Sequence, residues 1–227
     1  MNTLTGKKLN RIVWARVSSM VPTLMLAFFL PAGTLRYWQA WVYIVIIYLV
    51  SLLLISYLLK NDPDLVRRRM QMKEKRIQQK AVIKFSILFF TLSFLLPGFD
   101  QRFDWSRVPV WLVIAADLLL FLSYYLVFLT MRENSYAGRT VIVEEGQNVI
   151  DTGPYRWIRH PMYAGVILLM LATPLSLDSW YALIPAVLII PTLIIRILDE
   201  ESTLSSELPG YDDYRKKVHS RLIPGVW

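Results

Sequence analysis

The sequence predicts an all-α integral membrane protein of about six transmembrane helices, or five if the first apolar run does not span. Three observations predict this. Of the 227 residues, 55% are hydrophobic and the mean hydropathy is +0.42, more than a single soluble core needs. The apolar residues come in long blocks rather than at amphipathic spacing. Charged residues gather in the segments between those blocks.

A spanning helix takes about 20 mostly apolar residues. Residues 17–31 and their flanks give the first span, which is short and contains Pro22. Basic residues precede it, as in a signal peptide, but no small-residue cleavage site stands out and further spans follow, so it reads as a retained helix. Residues 37–59 (YWQAWVYIVIIYLVSLLLISYLL) form the clearest span, with aromatics at its start that suit the interfacial belt. Residues 81–97 and 108–130 are the third and fourth. Residues 162–175 and 180–198 make a close pair around Ser176-Leu177-Asp178-Ser179, and the first of the pair is barely long enough to cross.

Orientation follows from the basic residues. With the N-terminus inside, residues 1–16, 60–84, 131–160 and 196–227 carry 22 of the 25 Lys and Arg, and the outer segments hold only Arg36, Arg102 and Arg107. That asymmetry places both termini and both long loops in the cytoplasm. The net charge of +8 therefore belongs to a membrane surface with anionic headgroups, not to a nucleic-acid partner. The absence of cysteine removes disulfides, thiolate metal sites and cysteine nucleophiles, and no metal site is read elsewhere. The loop after residue 60 opens with Asp62-Pro63-Asp64, a helix-start signal, and predicts a basic amphipathic helix over 61–80 that anchors on the membrane. Residues 134–150, with Thr140-Val141-Ile142-Val143 and two glycines, predict a short hairpin or extended piece. Residues 208–227, with Tyr211, Tyr214, Val218 and Leu222 at near-helical spacing, predict an amphipathic helix against the cytoplasmic end of the bundle.

Three clusters on that face carry possible chemistry. The first is Gly153-Pro154-Tyr155-Arg156-Trp157-Ile158-Arg159-His160-Pro161-Met162-Tyr163-Ala164-Gly165. Pro161 suits the first position of a helix. His160 then sits at a cap whose positive dipole end favours an anionic group. Gly165 lets a ligand or a neighbouring helix approach closely. An interfacial anchor would also place Tyr, Trp and Arg here, but it needs neither His-Pro before a span nor Gly inside one. The second cluster is Arg196-Ile197-Leu198-Asp199-Glu200-Glu201. Three carboxylates at a helix C-terminus oppose the dipole, which points either to a use or to a solvated helix end. Arg196 and Glu200, four apart, share a face. The third is Tyr211, Tyr214, Arg215, His219 and Arg221.

The run Gly-Pro-Tyr-Arg, then Arg-His-Pro, then Tyr-x-Gly, followed by Glu-Glu, resembles the isoprenylcysteine carboxyl methyltransferase family, itself similar to the membrane phospholipid N-methyltransferases. The resemblance covers about residues 140–227 and continues through Leu204, Gly210-Tyr211, Tyr214, Val218 and Arg221-Leu222-Ile223-Pro224. It implies methyl transfer from S-adenosylmethionine to a lipophilic acceptor that enters sideways from the bilayer. It divides the chain into N-terminal transmembrane helices (1–130, with the basic loop 60–84) and a cofactor-binding region (131–227). By position, His160, Tyr163, Gly165, Glu200 and Glu201 hold the cofactor, with Tyr155, Arg159 and Pro161 completing the set, and Arg196 faces the acceptor. A carboxylate acceptor is already ionised at neutral pH, whereas an amine needs a deprotonation route for which no base is well marked; a thiol is the third option. The membrane sterol reductases, which use NADPH, share Arg-His…Tyr-x-Gly but lack this Glu-Glu. A transporter or scaffold predicts polar residues at mid-membrane depth, where Asp117 is the one clear carboxylate.

Overall fold

The computed structural model describes residues 6–70, 77–138, 143 and 146–227, with the side chains of 77–82 outside that description. The described residues form eight α-helices and no strand. They are α1 (Gly6–Ala32), α2 (Trp38–Asn61), α3 (Pro63–Met70), α4 (Ile77–Phe103), α5 (Val110–Glu133), α6 (Pro161–Ser176), α7 (Leu183–Glu207) and α8 (Tyr211–Lys217), with a 3-10 turn at Gly153–Arg156 before α6.

Four helices are long and apolar enough to cross a membrane: α1, α2, residues 83–103 of α4, and α5. Only 22–28% of their most apolar stretches is buried within the protein, so most of each surface is apolar and faces outward, as lipid-exposed helices require. The remaining two expected spans form a hairpin of a different kind. The 16 residues of α6 reach about 24 Å, short of the roughly 30 Å hydrocarbon layer. The 25 residues of α7 are long enough, but its second half carries Arg196, Asp199, Glu200 and Glu201.

Packing runs through two main clusters. Leu24, Phe28, Tyr37, Tyr43, Leu120 and Leu177 knit α1, α2 and α5 to the end of α6. Leu9, Val13, Leu58, Leu65, Val66 and Met131 close the opposite end. That second cluster gathers the start of α1, the end of α2, α3 and the end of α5, so the basic segments of the chain share one end of the bundle. Close approaches are set by glycine. A methyl group on Gly98 of α4 would lie 2.6 Å from the Phe28 carbonyl oxygen of α1.

One local expectation changes, and two fall partly on residues outside the description. Of the basic helix expected over 61–80, residues 63–70 form α3, capped by Asp62 Oδ1 accepting the Leu65 N–H at 2.9 Å. Residues 71–76 lie outside the described residues, and residue 77 already belongs to α4. The short hairpin or extended piece expected over 134–150 has its core, residues 139–142 and 144–145, outside the described residues. The C-terminal helix is α8 alone, seven residues long. Past Val218 the backbone leaves the helix because its carbonyls serve another segment: Ser220 and Arg221 accept the Arg159 and His160 N–H groups, both at 2.9 Å.

Candidate active site

The 3-10 turn that Gly-Pro initiates buries Tyr155, whose hydroxyl accepts the Asn134 amide at 2.9 Å. Its carbonyl accepts the Tyr214 hydroxyl at 2.8 Å, which ties the turn to α8. Residues 159 and 160 then run alongside residues 220 and 221 before Pro161 opens α6.

Behind this junction lies a buried carboxylate. Glu201, 4% exposed, accepts Arg159 Nε at 2.7 Å on Oε1 and Arg221 Nε at 2.9 Å on Oε2. The His160 ring nitrogen Nε2 is 3.2 Å from Oε1. The Arg159 guanidinium also donates to the Val218 and His219 carbonyls at 2.7 and 2.8 Å. Arg221 covers the Trp227 ring at 5.1 Å. Burial alone would raise the Glu201 carboxyl, but hydrogen bonds from His160, Arg159 and Arg221 overcome it and hold the group at about 2. The pair of arginines around a desolvated carboxylate is worth keeping only while complete.

In front lies an open cleft of about 910 Å³. One wall is polar: Tyr163 donates to Glu200 Oε2 at 2.7 Å and accepts Arg196 Nε at 3.0 Å. Thus Arg196 and Glu200, one turn apart on α7, are linked through a single hydroxyl of α6. Apolar lining comes from Leu204, one turn beyond Glu200 on α7, and from Leu208, Tyr211 and Tyr214. The Tyr211 hydroxyl is buried and has no hydrogen-bond partner among the described residues. Burial, then the nearby Glu201 charge, raises this phenol well above its ordinary range, so it stays protonated and able to donate.

Of the nine residues expected to hold the cofactor or face the acceptor, Tyr155, Arg159, His160, Pro161, Tyr163, Arg196 and Glu200 line the cleft together. Two do not. Glu201 stands behind the wall, engaged by Arg159, His160 and Arg221. Gly165 faces α5, where a methyl group would lie 2.8 Å from Val127 Cγ2 and 3.2 Å from the Ser123 carbonyl oxygen; of the two uses read for it, the close helix approach is the one the structure takes. Arg159 and His160, expected beside an anionic group of a ligand, direct their side chains at Glu201. Sequence reasoning missed Asn134, which orients Tyr155, and Arg69, which reaches the Ala137 carbonyl at 2.7 Å and the Met162 thioether at 3.3 Å. An Asn just past a span and a run of three arginines were the available signals.

Among the described residues no group of three His, Asp or Glu side chains is placed to hold an ion. Residues 111–208 match the family model described as phospholipid methyltransferase. The resemblance read from the sequence is borne out. The matched segment runs from α5 through α7 and includes His160, Tyr163, Arg196, Glu200 and Glu201. The chain is also similar to the uncharacterized protein YpbQ of Bacillus subtilis (strain 168), 26% identical over 144 residues, which are 58% of this chain and 83% of that protein. A solved structure of the eukaryotic intramembrane Ras methyltransferase ICMT (isoprenylcysteine carboxyl methyltransferase) aligns with 96% of this chain and 85% of its own, at 16% identity and a TM-score of 0.49. The family-model match over residues 111–208 is the similarity that bears on activity, and it supports the membrane methyltransferase class.

Proposed function

We propose that this chain is a six-span, S-adenosylmethionine-dependent methyltransferase that modifies a lipophilic acceptor at the cytoplasmic face, with both termini on that side. The observation that carries the reading is the cleft itself, which joins the linked Tyr163, Glu200 and Arg196 to apolar lining from Leu204 and Leu208 and leaves the Tyr211 hydroxyl without a partner among the described residues. The residues fit the cofactor. Glu200 suits its ammonium or ribose hydroxyls, the start of α6 suits its carboxylate, and Tyr211 and Leu204 suit its adenine, with the Tyr211 hydroxyl free to donate. When bound, the cofactor supplies a sulfonium-activated methyl group.

Positioning carries most of the catalysis in such a displacement. Tyr163 holds Arg196 and Glu200 at a fixed separation, so one residue serves the cofactor side and the other the acceptor side. Arg196 is the catalytic residue of this reading: its guanidinium orients an acceptor carboxylate, which is already ionised and needs no general base. Glu201 acts through Arg159, His160 and Arg221 and is a positioning residue. The cofactor region proposed is 131–227, carried on the helices of 1–130.

Calorimetric titration of the detergent-purified protein with S-adenosylhomocysteine, and separately with NADPH, tests the class. S-adenosylhomocysteine should bind, and Arg196→Ala should spare that binding while removing turnover. Binding of NADPH alone moves the chain to the reductases. Binding of neither ligand to folded protein overturns the proposal.

A further inference from the structure

A second depression lies between α1, α2, α5 and α6, apart from the cleft. Along α1, Leu9 and Val13 belong to one core cluster and Leu24 and Phe28 to the other. At the level between them the facing helices present small hydroxyl residues, Ser51 of α2 and Ser123 of α5. The volume left open is a groove of about 830 Å³ with mostly apolar walls from Val17, Met20, Leu54 and Val166. It shares no lining residue with the cleft. Met131, which lines the groove, and Met162, which lines the cleft, pack into the same cluster between the two.

Arg16 stands at the rim of this groove, exposed. Its guanidinium donates to the Met70 thioether at 3.1 Å, a weak acceptor, and among the described residues no carboxylate pairs with it. Arg16 immediately precedes the apolar run of α1, which puts it at headgroup depth, and Met20 lies one turn deeper. Exposed Lys7, Lys8 and Arg11 on the preceding turns add positive potential there. A groove at hydrocarbon depth with an unmatched cation at its mouth is complementary to an amphiphile with a negative head.

We infer that this groove seats one glycerophospholipid with an anionic headgroup, its phosphate on Arg16 and an acyl chain along Val17, Met20 and Leu54. The lipid is a resident of the bundle, held apart from the cleft by Met131 and Met162. The inference is independent of what the cleft binds.

Native mass spectrometry of the full chain in detergent, with equal amounts of phosphatidylglycerol and phosphatidylcholine of matched chains, tests it. The protein should retain one phosphatidylglycerol, about fivefold over phosphatidylcholine, since a cation at the surface contributes about 1 kcal/mol toward an anionic lipid. Arg16→Gln should bring the two lipids to parity, and Arg16→Lys should keep the preference. Ser51→Leu, which fills the groove with Arg16 in place, should lose both adducts. Equal retention of both lipids by the unmodified protein overturns the headgroup assignment, and an undiminished adduct in Ser51→Leu overturns the groove. A preference that survives Arg16→Gln removes Arg16 from the site. Melting in the same detergent checks folding; if Arg16→Gln fails it, Arg16→Lys and Ser51→Leu decide.

Discussion

The two ends of the bundle each bury acidic side chains, and they satisfy them in opposite ways. At the end away from the cleft, Asp178 accepts the Val108 N–H at 2.6 Å, Gln39 Nε2 at 2.9 Å and an Arg107 guanidinium nitrogen at 3.1 Å. Beside it, Asp100 takes the Ser106 N–H and hydroxyl and the Ser179 hydroxyl at 2.5–2.7 Å. The donors there are mostly neutral and come from residues adjoining the loops between spans, so the knot ties loop to loop. At the cleft end, Glu201 is held by two guanidiniums and a histidine, and these reach it from the 159–160 segment and from the C-terminal segment. The first arrangement closes a helix bundle. The second fixes two mobile-length segments around a space that remains open, and its charge is carried on residues that also form the wall of that space. A buried carboxylate is therefore a poor marker of a site; what distinguishes the end proposed as functional is the Tyr211 donor, unpartnered among the described residues, and the linked Arg196–Tyr163–Glu200 set.

The sharpest way to break this comparison is Glu201→Gln. It leaves the buried Arg159 guanidinium and the half-buried Arg221 without their charge partner, a loss of about 3 kcal/mol for such a set, and should release residues 218–222, read as faster amide exchange there and a lower melting temperature. The same group gives a pH dependence. Its carboxyl lies at about 2 in the folded protein against 4.5 ordinarily; a lowered folded value stabilises above the unfolded one. The contribution, on the order of 3 kcal/mol, should be whole above pH 4.5 and lost as the pH falls towards 2.

At the other end, Asp178→Asn should cost about 2 kcal/mol by weakening a charge-assisted set and leave S-adenosylhomocysteine affinity unchanged, read by melting and calorimetry on the same sample. Gly165→Ala should cost about 1–3 kcal/mol by wedging α6 off α5. Within the cleft, Glu200→Gln should leave melting unchanged yet lower S-adenosylhomocysteine affinity about tenfold, because a charged acceptor is lost. Tyr211→Phe should have the smallest effect: stability unchanged or slightly raised, since an unpaired buried hydroxyl goes, with an affinity loss of about threefold to tenfold.

The all-helical architecture was legible because apolar blocks of membrane length admit little else, and the first four spans coincide with α1, α2, α4 and α5. The α6–α7 hairpin was the place where length and composition stop deciding, since α6 is short and α7 carries five charged residues in its second half. Seven cleft residues were legible from spacing and resemblance: His160 before Pro161 marks a helix start, and Arg196 and Glu200 are one turn apart. Spacing does not encode which side of a helix turns inward. Glu200 and Glu201 differ by a quarter-turn, and that places one in the cleft and the other behind it. The C-terminal helix was overextended for a tertiary reason: the 218–221 carbonyls find partners in residues 159 and 160, and that long-range pairing outweighs the local periodicity of Val218 and Leu222.

On the proposed function, the Glu201 end binds the methyl donor and the Asp178 end does not. Amide hydrogen exchange with and without S-adenosylhomocysteine tests it most directly. Protection should rise in residues 155–163 and 200–214 and stay unchanged in 36–41 and 176–182. Protection confined to the Asp178 end, or none at either end at saturating ligand, would contradict it.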